Sequence, residues 1–217
     1  MYKNINETGR SMIEMLGVLA IVGVLSVGGI AGYSKAMEKW KVNKAIEEYS
    51  YLIYGLQEHL SDIHKMPNPD YVGLIDLANS LNLIPNSWTI KNNFYANDAY
   101  GNLIGLAVHP AQGSMPARIS FDLQLGGIQS SDNSTTSPAF SINICRTLFT
   151  DLIMPINDSI WATAVNAKKS GWINYYAQNW CDGDKLPCLR DLTVSKINEL
   201  CRSCDGSKEV CSVNISF

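Results

Sequence analysis

The sequence predicts an α+β fold: one long N-terminal helix, then a mostly antiparallel sheet with short helices in its connections. Three observations point there. Met15 to Ser34 is a run of twenty residues without a charge, long enough to cross a hydrocarbon core of roughly 30 Å. Val42, Ile46, Tyr49, Ile53, Leu56, Leu60 and Ile63 then recur at spacings of 4, 3, 4, 3, 4 and 3, the apolar stripe of an amphipathic helix. Further on, short apolar runs alternate with Gly, Pro, Asn and Ser clusters, the punctuation of strands and turns.

Composition narrows the function classes. A chain of 217 residues holds one ordinary domain plus a separate element. Charged residues make up 17% and the net charge is −3, which argues against a basic nucleic-acid groove and against a polyelectrolyte tail. All six cysteines (Cys145, Cys181, Cys188, Cys201, Cys204, Cys211) fall in the last 73 positions. Their density there, about 8%, borders on that of disulfide scaffolds.

The apolar run is not a cleaved secretory signal, whose apolar core is shorter and precedes its cleavage site. It follows a short polar leader in which Lys3 and Glu7 cancel, and it carries Glu14 near its start. A carboxylate at that depth costs on the order of 1 to 3 kcal/mol unless it finds a partner. Arg10 stands at i,i+4 from Glu14 and is one candidate. The order Gly9-Arg10-Ser11-Met12-Ile13-Glu14-Met15-Leu16, ahead of the apolar run, offers another reading. It resembles the class III leader of type IV pilins and pseudopilins.

That resemblance implies cutting by a prepilin peptidase between Gly9 and Arg10, N-methylation of Arg10, and Glu14 as fifth residue of the mature chain. In an assembling filament Glu14 would pair with the amino terminus of a neighbour, neutralising two charges among packed apolar helices and setting register. Arg10 departs from the apolar first residue usual in the family. Gly17, Gly23, Gly28, Gly29 and Gly32 lie within the same stretch. They read either as ordinary tolerance in a membrane helix, with Gly28 and Gly32 as a small-xxx-small contact, or as sites of close packing and local unwinding on entry into a filament core.

The amphipathic stripe continues the helix to the Pro67-Asn68-Pro69 stop. Met12 to Lys65 is 54 residues, roughly 80 Å of helix. The implied organisation is leader 1–9, transmembrane or filament-core helix 10–34, amphipathic half 35–66 and globular head 67–217. A two-stranded coiled coil is the alternative use of the stripe, but the head needs a helix face to build its core on. Lys35, Lys39, Lys41 and Lys44 after the span favour the opposite orientation by the positive-inside rule. The cysteines and the leader place the head outside the cytoplasm, where disulfides persist.

In the head, Tyr71 to Leu83 reads as a short helix and Asn92 to Gly101 as loop. Leu103 to His109 and Ala117 to Leu125 read as strands, and Gln129 to Pro138 as a Ser/Thr-rich surface loop. Ser141 to Met154 reads as helix, Ile160 to Asn166 and Trp172 to Ala177 as a hairpin, Leu192 to Cys201 as helix, and Val210 to Phe217 as a final strand. The run Phe140 to Leu148 around Cys145, with Asp191-Leu192-Thr193 leading to Ile197 to Cys201, resembles the C-terminal region of type IVb pilins of the toxin-coregulated and bundle-forming kind. The resemblance implies a pilin fold and a Cys145–Cys201 disulfide bounding a variable D-region, 145–201. Three pairings of the other four cysteines then remain; the local one joins Cys181 to Cys188 and Cys204 to Cys211.

Rival chemistries find little in the sequence. Cys201-Arg-Ser-Cys204 has redox spacing but lacks a strand-then-helix context. Zinc would want a second close pair, and no histidine lies beyond His109. His59 and His64 do not share a helix face, and no nucleophile elbow or phosphate loop is present. Asp182-Gly183-Asp184 reads as a turn, with a calcium contact as its alternative. The expectation is a non-enzymatic major pilin without cofactor, metal or nucleic-acid partner. It would be held in the bacterial inner membrane, handled by prepilin peptidase and the pilus assembly machinery, and polymerised into an extracellular homo-oligomeric helical filament for adhesion or self-association. A minor pilin or type II secretion pseudopilin stands beside it, and a membrane-anchored extracytoplasmic enzyme or binding domain is the alternative of another class.

Overall fold

The computed structural model describes residues 12–63, 71–112, 117–126, 138–167, 171–202 and 211–217. Gly9, Arg10, the Pro67–Pro69 stop, positions 129–137 of the Ser/Thr-rich loop and Cys204 lie outside them. The chain divides within its first helix, α1 (Met12–Glu58), into two compact units, Met1–Trp40 and Lys41–Phe217.

The first unit's described residues are all helical, and every one whose burial is described from 14 to 36 is exposed. In the second unit α1 turns amphipathic. Val42, Ala45, Ile46, Tyr49, Leu52, Ile53 and Leu56 are buried, so Ala45 and Leu52 widen the stripe read from the sequence into the broader apolar face of a core helix. The helix does not run unbroken to Lys65. At His59 the bonds tighten, with the N–H of His59 donating to the Leu56 carbonyl and that of Asp62 to the His59 carbonyl, both at 3.1 Å. A short α2 (Leu60–Ile63) follows this three-residue turn.

Tyr71 to Leu83 is not one helix. It opens as strand β1 (Val72–Gly73), and only Ile75–Ser80 forms α3. Gly73 is a poor helix former and lies against neighbouring backbone: a Cβ there would sit 2.3 Å from the Asn93 carbonyl oxygen. Gly73→Ala is therefore expected to destabilise the head by about 1–3 kcal/mol, because the obstacle is main chain. Urea unfolding should separate it from Gly55→Ala, where the obstacle is the rotatable end of Leu83 at 2.3 Å and the loss should be smaller.

The stretch 92–101 is likewise not all loop. Thr89–Ile90 (β2) and Tyr95–Asn97 (β3) pair antiparallel, turned by Asn92, whose Oδ1 accepts from the N–H of Phe94 at 2.8 Å and Tyr95 at 3.0 Å. The long pair β4 (Leu103–His109) and β5 (Arg118–Leu125) follows. Helix α4 (Pro138–Thr147) begins earlier than expected because proline is tolerated in a first turn, and it continues as a π-helical segment, Leu148–Ile153. Next come the hairpin β6 (Ala162–Ala167) and β7 (Gly171–Tyr176), and a 3₁₀ turn, Leu189–Asp191. Helix α5 (Val194–Cys201) is capped by Thr193, whose hydroxyl accepts from the Lys196 N–H at 3.2 Å. Strand β8 (Cys211–Ser216) follows.

The strands form one antiparallel sheet in the order β2-β3-β4-β5-β8-β6-β7, with β1 beside β4. The last strand in sequence is thus central, bonded to β5 on one side and β6 on the other. Alternate residues Ile119, Phe121, Leu123, Val213 and Ile215 enter the core with Tyr49, Leu52 and Leu56. Two buried polar ties fix helix to sheet. Trp88 Nε1 donates to Glu48 Oε2 at 2.8 Å. The Tyr49 hydroxyl donates to Asp98 Oδ2 and accepts from Asn102 Nδ2 at 3.1 Å, which places Tyr49 against the β3–β4 connection and, ring to ring, 5.8 Å from Phe121. The architecture is α+β: a long, N-terminally apolar helix and an antiparallel sheet with disulfides.

Candidate functional site

Two regions carry the residues singled out by sequence, and they belong to different units. In the first, α1 is the one helix among the described residues long and apolar enough to cross a membrane, and none of its most apolar window is buried within the chain. Leu16, Leu19, Leu25, Val27 and Ile30 are each more than 60% exposed. Isolated apolar side chains on a surface are ordinary, but a continuous apolar helix surface marks a membrane or an interface. The hydroxyl of Ser26 is satisfied internally by the Val22 carbonyl at 2.7 Å, the arrangement a helix needs away from water.

Glu14 lies exposed in the first turn of this helix, where a carboxylate is favoured by the N-terminal end of the helix dipole. Its two expected partners are the amino terminus of a neighbouring subunit, which belongs to another chain, and Arg10 four residues before it, which lies outside the described residues. A Cβ built at Gly17, Gly23, Gly28, Gly29 or Gly32 would meet nothing within 4 Å. Among the described residues, no contact requires glycine at these positions.

The second region is bounded by disulfides. Cys145 on α4 and Cys201 at the end of α5 are joined, with Cα atoms 5.6 Å apart, and both are fully buried. Cys181 and Cys188 are joined across 5.0 Å between Cα atoms. Cys211 is also disulfide-bonded, while Cys204 lies outside the described residues. The Cys201-Arg-Ser-Cys204 spacing therefore does not present Cys201 as a thiol. Asp182 forms a turn: its Oδ1 accepts from the N–H of Asp184 at 2.9 Å and Leu186 at 2.8 Å. Those bonds, the one from Leu186 foremost, hold its carboxyl below the usual range.

Sequence reading missed two surface aromatics on the amphipathic half of α1. Tyr51 is 57% and Tyr54 45% exposed, at i,i+3 on the face away from the core. Aromatics adjoining an apolar stripe without sharing its spacing were the available signal. Comparison with protein-family models, with curated proteins and with solved structures finds no match to this chain.

Proposed function

We propose that the chain is a structural subunit of a type IV pilus, with the pilin fold, most closely of the type IVb kind. A prepilin peptidase would cut between Gly9 and Arg10, and the mature N-terminal helix would leave the inner membrane for the core of a helical filament. The observation that carries this reading is the leader Gly9-Arg10 with Glu14, placed directly before the uncharged run Met15 to Ser34, whose apolar surface finds no cover among the described residues. A single-pass anchor explains the apolar surface alone. It does not explain an acid near the start of the span, which costs on the order of 1 to 3 kcal/mol without a partner.

Filament assembly supplies that partner, since the freed α-amino group of an adjacent subunit is cationic. It also gives a use for glycines that no contact among the described residues requires, because small residues let helix backbones approach closely. Disulfides in the head fit a location outside the cytoplasm. The 145–201 region then serves as the displayed surface.

Co-expression with a prepilin peptidase and intact mass measurement tests the reading. The expected product lacks residues 1–9; a chain that keeps them would refute it. In the same system Glu14→Ala should still be cut yet enter filaments poorly, and normal incorporation would remove the role assigned to Glu14.

A further inference from the structure

The sheet face opposite the core carries a feature that the filament reading does not use. Because β5 and β8 alternate, Ser120, Asp122, Asn214 and Ser216 all point away from Phe121 and Ile215. Register aligns Asp122, Asn214, Ala164 and Asn174 in one row across four strands, and Ser120, Ser216, Ala162 and Tyr176 in the next. Small side chains in the middle and large ones around them leave an open groove of about 340 Å³, rimmed by Trp161, Trp172, Tyr176, His109 and Arg118. That volume lies within the range of small-molecule sites.

The floor is fixed before any ligand arrives. Asn214 Nδ2 donates to Asp122 Oδ1 and to Ser120 Oγ, both at 2.6 Å. Ser120 Oγ donates to Asp122 Oδ2 at 3.0 Å, and Ser216 Oγ to Asn214 Oδ1 at 2.9 Å. These bonds orient the Asp122 carboxylate and still leave it lone pairs to accept with. The walls are braced as well. Trp161 meets Tyr176 edge-on at 5.5 Å and Trp180 at 6.5 Å, and the Arg118 guanidinium lies 4.9 Å from the Trp161 ring centre. Arg118 makes no ion pair among the described residues, and its buried Nη1 has no hydrogen-bond partner. Trp172, by contrast, is 49% exposed, an aromatic surface facing the groove with little covering it.

A ligand that suits this surface has an apolar flank for an aromatic ring, hydroxyls for an oriented carboxylate and amides, and an acceptor for an unpaired guanidinium. A sugar ring offers the first two through its C–H face and its hydroxyls. A planar carboxylate matches the guanidinium fork better than a hydroxyl does. Nucleic acid fits less well, since its evenly repeated phosphates would set anions against Asp122 as well as Arg118, whereas a saccharide can hold a single carboxylate at Arg118 and hydroxyls at Asp122. We propose that this groove binds a saccharide bearing a carboxylate, its ring stacked on Trp172, its hydroxyls donating to Asp122, and its carboxylate held by Arg118.

The inference concerns the second unit alone and stands whether or not the chain is processed and polymerised. The test screens the full-length chain in detergent against neutral, uronic-acid and sialic-acid oligosaccharides, then titrates the strongest by tryptophan fluorescence. An acidic saccharide should bind at least tenfold better than its neutral counterpart, Trp172→Ala should weaken it at least tenfold, and Arg118→Gln should erase the acidic preference. Asn174→Ala, at another exposed position, should also weaken binding, and unchanged melting of both exposed-site variants would exclude unfolding as the cause. No saccharide binding, equal binding of neutral and acidic forms, or affinity unaltered by all three substitutions would overturn the proposal. So would sedimentation in which Trp172→Ala abolishes self-association of a chain that binds no sugar, since the groove would then be a contact between copies. None of these failures bears on cleavage after Gly9.

Discussion

Asp98→Ala is expected to cost the head about 3 kcal/mol or more, because one carboxylate satisfies several buried or half-buried donors at once. Its Oδ2 accepts from the Tyr49 hydroxyl and from Asn102 Nδ2 at 2.7 Å, and its Oδ1 from the N–H groups of Tyr100 and Asn102 at 2.8 Å each. Removing it orphans these donors where Tyr49 and Asn102 are fully buried. Asp98→Asn keeps one acceptor and should lose less in urea unfolding of the full chain in detergent. The same site has an alkaline signature. Burial, and after it the charge and hydrogen bond of Asp98, hold the Tyr49 phenol well above its ordinary value of about 10. A group that binds its proton more tightly when folded contributes stability that is fully present below its unfolded pKa and is lost as pH rises through the folded one. Stability should therefore fall above about pH 10, less steeply in Tyr49→Phe. Part of the slope should remain, since burial, with Glu48 next, also pushes Tyr100 up to about 12.

The second large effect is expected from Cys145→Ala with Cys201→Ala. The bond closes a loop of sequence separation 56, worth about 4 kcal/mol in lost unfolded-state entropy. For a chain of this size that is a fall in melting temperature of roughly 8–16 °C. The pair also ties α4 to α5 inside the core, so the loss should show as a lower midpoint in denaturant. Cys181→Ala with Cys188→Ala opens a loop of separation 7, for which the same entropy argument gives about 2.5 kcal/mol. Equal losses for the two pairs would mean that loop length is not what these bonds contribute.

The parts of the fold that follow their own local pattern were legible in the sequence. Leu103 to Val108 is continuously apolar, and the run from Ile119 to Leu125 alternates and is closed by Gly126. The 4,3 spacing from Val42 to Leu56 likewise marked the buried face of α1, although Ala45 and Leu52 lay outside a stripe drawn that narrowly. Elements of two or three residues were not legible. β1 and β3 owe their conformation to β4, which binds β1 along Ala107–Val108 and β3 along Leu103–Gly105, and no two-residue window can announce a partner thirty positions away. The saccharide groove was hidden for the same reason. Its residues come from β4, β5, β6, β7 and β8 and from Trp161 just before β6, and Asn214 reaches its bonding partner Asp122 across 92 positions. The only local trace was the alternation of Ser212, Asn214 and Ser216 with Val213 and Ile215, which marks a two-faced strand without saying what the polar face is for.

The central place of β8 has a consequence in time. β5 and β6 meet nowhere except through it, so until residues 211–216 are made the sheet is two separate pieces with open edges. Synthesis proceeds from the N-terminus at about 5–20 residues per second, and this strand is the last of the eight described strands to appear. Each earlier moment leaves an unpaired β5 edge free to pair with another nascent chain. Closing the sheet also brings together segments nearly a hundred residues apart, an entropic step that local contacts cannot pre-empt. The head is thus a structure whose keystone is made after both of the strands it joins, and its yield should depend on how well the waiting edges are shielded until then.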